Sequence, residues 1–270
     1  MTLNVHFATE NKTVSYTKFA IETMRRLAKK PEEIIVTIHI LEHSPNEILN
    51  ELTKISAIMV RGAAANLRGS FGHGLALEQM LSLTDDGDTH VIMDSDTVLL
   101  MKNWDDYIKT TLSNVDCVGT RYEDMGGFSS GSGTLQTYKS VPNFIWIALS
   151  PKHNWSDLRA AHQKHVPINV ASAEMSRVYG LPQGYQVMCD VGWQLPEYLH
   201  NNGLTYEGLR QIKPSSEECV VLSGLSDYHE EYHVDGKPFL VHQRGSSKHA
   251  FRQGISKEFY DAVDRYLRQI

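Results

Sequence analysis

The sequence predicts one α/β domain in which a mostly parallel central sheet is flanked by helices. Between Leu3 and Thr120, short β-branched runs alternate with segments of helical apolar spacing, and that alternation is the pattern of a parallel sheet covered by helices. Turn and breaker residues separate the segments at short intervals. A chain of 270 residues, 41% hydrophobic and 21% charged, is also long enough to bury a large core and far from the composition of a disordered chain.

Leu3 to Ala8 alternates apolar and polar residues, as a strand does. Tyr16 to Lys30 carries apolar residues at helical spacing and is stopped by Pro31. The β-branched run Ile34 to Leu41 predicts a second strand, followed by a short helix from Glu47 to Lys54 and a brief strand from Ala57 to Val60. A helix through Leu75, Leu77, Met80 and Leu81 ends near the acidic turn at Asp85, and His90-Val91-Ile92-Met93 then runs as a strand straight into Asp94-Ser95-Asp96. Further on, Trp104 to Leu112 reads as a helix and Cys117 to Thr120 as a strand. Gly126 to Gly133 is too rich in glycine and serine for packed structure and predicts a loop, either a lid or a tolerated surface excursion. Phe144 to Leu149 predicts a strand, Trp155 to His162 and Val191 to His200 helices, and Phe239 to His242 a late strand.

The bulk numbers exclude several function classes. Cys117, Cys189 and Cys219 have no C-x-x-C spacing, so neither a disulfide framework nor a cysteine zinc site is expected. The first residues lack a basic flank and apolar run, and no stretch reaches the roughly 18 apolar residues of a membrane span, which predicts a protein of the cytoplasm. A net charge of −6 argues against a generic polyanion binder. Val241 to Ile270 is nevertheless locally basic, with six Lys/Arg against three Asp/Glu, which suits either a basic patch or an amphipathic helix with a solvated face.

The chemistry-bearing residues begin with Asp94 and Asp96. Two carboxylates one residue apart just beyond a buried strand repel each other unless a cation or proton lies between them, and open α/β sheets bind ligands at the carboxyl ends of their strands. Mg²⁺ or Mn²⁺ suits such oxygen ligands and bridges substrate phosphates. A solvated strand-end acidic pair is the plainer reading of the same residues.

The passage from Phe71 to Thr120 combines a helix, an acidic turn, an apolar strand, D-x-D, Trp104-Asp105 at a helix start, and the D-x-V-G strand beginning at Asp116. It resembles the nucleotide-sugar half of GT-A glycosyltransferases, family-2-like and D-x-D containing. The resemblance implies a Rossmann-like GT-A domain, with 1–122 as the nucleotide-sugar half, 123–140 as a loop, and 141–270 as the acceptor half with a C-terminal metal-ligand segment. It further implies a UDP-sugar donor with Mn²⁺ or Mg²⁺. Ala8, Thr9 and Glu10 would frame the nucleoside, Asp94 and Ser95 would lie against the donor, and Arg61 and Arg68 are candidates for its phosphates because the guanidinium fork matches phosphate oxygens. Either arginine also suits an ordinary surface role.

Many GT-A enzymes add a late histidine to the metal shell. His242 fits that place, after the apolar strand Phe239-Leu240-Val241, and makes a metal set of Asp94, Asp96 and His242. Asp190 in Met188-Cys189-Asp190-Val191-Gly192-Trp193 occupies the place of the acidic catalytic base of inverting members, although those usually show a paired acid where this chain has Cys189. Asp190 suits a helix N-cap equally. Trp193 beside it is a candidate for stacking on a sugar ring.

Two other functions share these residues. Asp94-Ser95-Asp96-Thr97-Val98 matches the first motif of haloacid-dehalogenase-like phosphatases, with Asp94 as nucleophile, but about ninety residues precede it here where that motif opens the first strand. A nucleotide- or glycan-binding module without catalysis is the non-enzymatic alternative. For the acceptor, two classes stay open: a glycan, or a hydroxymethylated DNA base as in phage DNA-modifying glycosyltransferases, with Lys248, Arg252 or Lys257 on phosphates.

Overall fold

The computed structural model describes residues 2–10, 13–41, 52, 54–55, 58–61, 69–84, 87–122, 141–158, 163–167, 186–189, 195–226, 228–243 and 255–270. The first half follows the expected alternation: β1 (Leu3–Thr9), α1 (Val14–Leu27), β2 (Ile34–Ile40), β3 (Ile58–Arg61), α2 (Gly69–Leu81), β4 (Thr89–Asp94), β5 (Thr97–Leu99), α3 (Trp104–Thr111) and β6 (Cys117–Tyr122). The second half adds β7 (Val141–Leu149), β8 (Gln163–Pro167), β9 (Gln186–Cys189), α4 (Leu195–Asn201), β10 (Tyr206–Ile212), β11 (His229–Val234), β12 (Lys237–Gln243) and α5 (Ile255–Leu267). Among the described residues, no helix is long and apolar enough to cross a membrane.

Ten strands form one sheet in the order β3-β2-β1-β4-β7-β6-β10-β11-β12-β5, while β8 and β9 pair separately. The expectation of a mostly parallel sheet is corrected here. Parallel pairing holds for β3-β2, β2-β1, β1-β4 and β6-β10, but β4-β7, β7-β6, β10-β11, β11-β12 and β12-β5 are antiparallel. Helical crossovers link β1 to β2 and β3 to β4, and each returns the chain in the same direction. The later strands include a hairpin, β11-β12, whose two-residue turn Asp235-Gly236 has both residues at positive φ (50° and 74°) and reverses the chain at once.

Alternation along the strands divides the core in two. On β1, Leu3, Val5 and Phe7 face α1, α3 and α5, where they join Tyr16, Met24, Trp104, Ile108, Phe259 and Val263. The opposite face, with Ala8 and Ile92, packs on α2 and α4 through Leu77, Met80, Leu81, Leu195 and Leu199. That face also buries a row of histidines: His6 lies between His39 (Nδ1 to Nε2, 3.3 Å) and His90 (Nε2 to Nδ1, 2.9 Å). Burial pulls the His39 imidazole down to about 4, so His39 is neutral at ordinary pH.

α1 stops where the sequence places basic residues and then Pro31. Beyond it, the buried Asp105 carboxylate accepts from the Lys29 and Lys30 amides at 2.8 and 3.0 Å, and Trp104 Nε1 donates to the Met24 carbonyl at 2.8 Å. The sheet centre needs Gly119, because a Cβ there would stand 2.6 Å from the Trp146 carbonyl oxygen on β7.

Three expectations differ in outcome. The helix predicted from Trp155 is replaced, over its described residues, by a turn at Ser156 and Asp157: the Asn154 side chain accepts from the Ser156 amide at 2.8 Å and offers the backbone an alternative to a helix. The Glu47–Lys54 helix falls largely, and the Gly126–Gly133 loop wholly, outside the described residues. β10 and β11 were not expected from their sequences, since Tyr206–Ile212 and His229–Val234 are too polar to read as apolar runs.

Candidate active site

Four parallel strands end together on one edge of the sheet. Ala8 lies beside Asp94, Thr9 beside Ile40, and Ile40 beside Arg61, so β4, β1, β2 and β3 bring their carboxyl ends into a row. At one end of this row the chain leaves β4 through Ser95 and Asp96 and enters β5 immediately. β4 is fourth in the sheet and β5 tenth, so this two-residue turn joins the middle of a curled sheet to its far end. β5 pairs with β12, Thr97 lies opposite His242, and the Gln243 amide donates to the Asp96 carbonyl at 3.1 Å. Curling therefore brings together two segments about 150 positions apart, the D-x-D turn and the end of β12.

The result is a compact group of potential cation ligands. One ligand atom from each of Asp94, Asp96 and His242 lies within 4.8 Å of the others. Asp96 is 7% exposed and His242 6%, so the plainer reading of a solvated strand-end pair does not describe Asp96. His242 Nε2 stands 3.4 Å from Asp96 Oδ1, and on the ring's other side Nδ1 donates to Glu230 Oε2 at 2.8 Å. Asp94, the more open carboxylate, meets His73 Nε2 of α2 at 3.0 Å.

Burial alone would push the His242 imidazole toward its neutral form. The Asp96 and Glu230 carboxylates on its two nitrogens outweigh that and carry its pKa up to about 10. This pocket is thus built to hold positive charge beside Nε2. Two carboxylate oxygens and an imidazole nitrogen also suit a divalent cation, with the nitrogen favouring Mn²⁺ over Mg²⁺.

No protein-family model matches the chain, and no curated protein matches its sequence. Among solved structures it is similar to the glycosyltransferase GlyE of Streptococcus pneumoniae TIGR4, with a TM-score of 0.50 and 12% identity over 100% of this chain and 63% of GlyE. The fold is of the GT-A type. At that identity the likeness carries the fold and nothing finer. A mannosyltransferase from Pyrobaculum calidifontis, in complex with GDP-Man and Mn²⁺, matches at a TM-score of 0.35 and 16% identity over 44% of this chain and 34% of its own. The bifunctional glycosyltransferase WbbM matches at 0.40 and 16% over 56% and 32%. The chain thus spans about a third of the last two and less than two thirds of GlyE.

Within this GT-A fold the other expected residues fall as follows. Ala8 and Thr9 are buried at the end of β1, and the Thr9 hydroxyl is hydrogen-bonded to that of Thr17, so this edge offers backbone rather than side chain. Glu10 is half-buried, and its amide donates to Thr13 Oγ1 at 3.1 Å. Ser95 is 9% exposed in the turn between the two aspartates. The backbone of Arg61 ends β3 in the same row, and its side chain lies outside the description. Arg68, Asp190, Trp193, Lys248 and Arg252 lie outside the described residues. Lys257 is paired with Asp261 at 2.9 Å on the open face of α5.

Glu230, Tyr232 and His73 were missed by the sequence reading. The signal for the first two was present: Asp235-Gly236 between two β-compatible runs marks a hairpin, and a hairpin ending in His242 requires a partner strand from about His229. His73 has no such signal, because a lone histidine in a glycine-rich helix start carries none.

Proposed function

We propose that this chain is a divalent-cation-dependent glycosyltransferase that moves a sugar from a nucleoside diphosphate donor, UDP-linked by our reading, to an acceptor hydroxyl. The observation that carries the proposal is the convergence of Asp94, Asp96 and His242 at the carboxyl edge of the parallel strands of a GT-A fold.

In this reading the β1 edge at Ala8-Thr9-Glu10 frames the nucleoside, and Arg61 and Arg68 bind donor phosphate oxygens through their forked N–H groups. Asp94, with Ser95 beside it, and Asp96 and His242 would hold Mn²⁺ or Mg²⁺. The chemistry such a cation would supply when bound is stabilisation of the negative charge that grows on the diphosphate leaving group. Asp190 takes the proton of the acceptor hydroxyl as its oxygen bonds to the anomeric carbon. The bond from that carbon to the diphosphate oxygen breaks on the opposite face, its electron pair leaves with the UDP, and configuration inverts. Burial of Asp96 and His242 keeps water from competing for the ligand atoms.

The acceptor is a glycan in the reading we favour. Of the three basic residues considered for DNA phosphates, the one that is described, Lys257, already has Asp261 as its partner.

The deciding experiment incubates the chain with a panel of UDP-sugars, with and without Mn²⁺, and follows UDP release and mass gain on glycan and on hydroxymethylated or plain DNA acceptors. Mn²⁺-dependent UDP release that Asp96→Ala abolishes is the expected result. Phosphate release from a generic phosphomonoester in its place would establish the phosphatase, and donor binding without turnover would establish a binding module.

A further inference from the structure

The histidine of the candidate cation site is held from behind by a second carboxylate, and the hairpin register explains how. A two-residue turn places Val234 opposite Lys237 and His233 opposite Pro238. Continued without interruption, that register would set Glu230 opposite Val241. A β-bulge between Tyr232 and His233 slips β11 by one residue, so Tyr232 meets Leu240 and Glu230 meets His242. Directly opposed residues in an antiparallel pair share a face, with Cβ atoms roughly 4.5–5.5 Å apart. Glu230 therefore reaches His242, and its Oε2 accepts from Nδ1 at 2.8 Å and from the Tyr232 hydroxyl at 3.1 Å.

Glu230 is 3% exposed and Tyr232 is fully buried, so little water competes for these bonds. An ionised carboxylate only accepts. The hydrogen on His242 Nδ1 is thereby fixed, and Nε2 is the nitrogen turned to Asp96. Resting on the cation-dependent reading above, we infer that Glu230 is a positioning residue of the centre. It sets the orientation and tautomer of His242, aims Nε2 at the space shared with Asp94 and Asp96, and strengthens that nitrogen as a donor. The choice of cation follows from the same contact: a fixed, more basic imidazole favours Mn²⁺, which accepts nitrogen ligands, over Mg²⁺, which prefers oxygen. Tyr232 supports the arrangement by restraining the Glu230 carboxylate.

The test is a titration of the metal-free full chain with Mn²⁺, alone and with UDP, read by the electron paramagnetic resonance signal of unbound Mn²⁺, with Mg²⁺ measured by competition. Glu230→Gln keeps the shape and removes the charge. It is expected to weaken Mn²⁺ binding roughly 10- to 100-fold and Mg²⁺ binding less, narrowing the preference between them. In a His242→Ala background, the Glu230→Gln exchange is expected to make no further difference, because its effect runs through the imidazole. The inference is overturned if wild type binds Mn²⁺ and Glu230→Gln binds it within about twofold, or if the loss persists at full size without His242. A wild type that binds no Mn²⁺, with or without UDP, overturns the cation-dependent reading itself, and this inference with it. Should Glu230→Gln not fold by circular dichroism, Tyr232→Phe carries the test: about fivefold weaker Mn²⁺ binding supports the positioning role, and unchanged affinity refutes it.

Discussion

Glu230 and Glu231 are neighbours on β11, both buried, and they point to opposite faces of the sheet. Glu231 is surrounded by donors of the fold itself: the amides of Val220, Val221 and Leu222 at 2.8–3.0 Å, the Cys219 thiol at 3.1 Å and His233 Nε2 at 2.6 Å. Burial works against its charge, yet these bonds hold the Glu231 carboxyl at about 2, and burial beside it pushes the Cys219 thiol up to about 12. Glu230 instead accepts from the side chains of Tyr232 and His242, and His242 turns its other nitrogen toward Asp96. A carboxylate satisfied by backbone amides pins a chain path, so its loss is felt as stability. One satisfied by a side chain with a second polar atom free to act transmits its effect to that atom, so its loss is felt as binding.

That contrast can be broken at several points. The largest effect is expected at the site itself. Asp96→Ala should lower Mn²⁺-dependent UDP release by about 10³-fold, with a smaller drop in the urea midpoint because the buried His242 imidazole loses one of its carboxylate partners. A large loss of stability with activity intact would reassign Asp96 to the fold.

Next comes Glu231→Gln, which strands three amides' preferred acceptor charge and the His233 partner. It should destabilise the chain by about 3 kcal/mol in urea titration. Its Mn²⁺ affinity should stay within about twofold of wild type. A loss of Mn²⁺ affinity matching that of Glu230→Gln would erase the distinction between the two glutamates.

The acid response extends the comparison to the far half of the sheet. The folded pKa of Glu231 lies below its ordinary value of 4.5, at about 2, so its stabilisation is complete above pH 4.5 and is lost as pH falls from there toward 2. His39 is also lowered, from 6.5 to about 4, but for a base the consequence begins at higher pH. The unfolded chain takes up a proton below 6.5 that the folded chain refuses, so stability is full above 6.5 and declines between 6.5 and 4. Urea midpoints against pH should show two successive declines. His39→Gln, which cannot charge, should flatten the upper one, with its neighbours His6 and Gln79 in place, and Glu231→Gln the lower.

The smallest effect is expected from His73→Ala. Its contact with Asp94 is made between side chains 25% and 22% exposed, where water replaces a lost partner. Mn²⁺ affinity should change by no more than about threefold. A loss as large as that for Glu230→Gln would show that burial is not what separates strong from weak positioning contacts here.

Much of the first half was legible because local patterns there agree with tertiary context. Leu3, Val5 and Phe7 alternate, Pro31 stops α1, and the run from His90 enters Asp94 at a strand end, as observed. β11 was not legible from hydrophobicity, since its buried residues include His229, Glu230, Glu231 and His233, and a buried polar residue is recognisable only with its partner; β10 was not legible because it buries only Leu209 and Ile212 among exposed and half-buried neighbours. The parallel expectation failed for a related reason: crossovers announce themselves as helices, while antiparallel pairing of strands distant in sequence, as β4 with β7 and β12 with β5, leaves no local signal.

For the site, residue types alone singled out Asp94 and Asp96 as a cation-compatible pair, and the apolar run before His242 put that residue at a strand end. Local chemistry determined that much, because D-x-D and strand ends are properties of a few adjacent residues. Tertiary structure decided that the sheet curls until β5 meets β12, which brings His242 to Asp96 across some 150 positions. It also decided the bulge at Tyr232, which sets Glu230 rather than His229 opposite the histidine. Strand side chains alternate with a period of two, so a single-residue slip exchanges the faces of every residue beyond it, and packing across the whole sheet selects that slip.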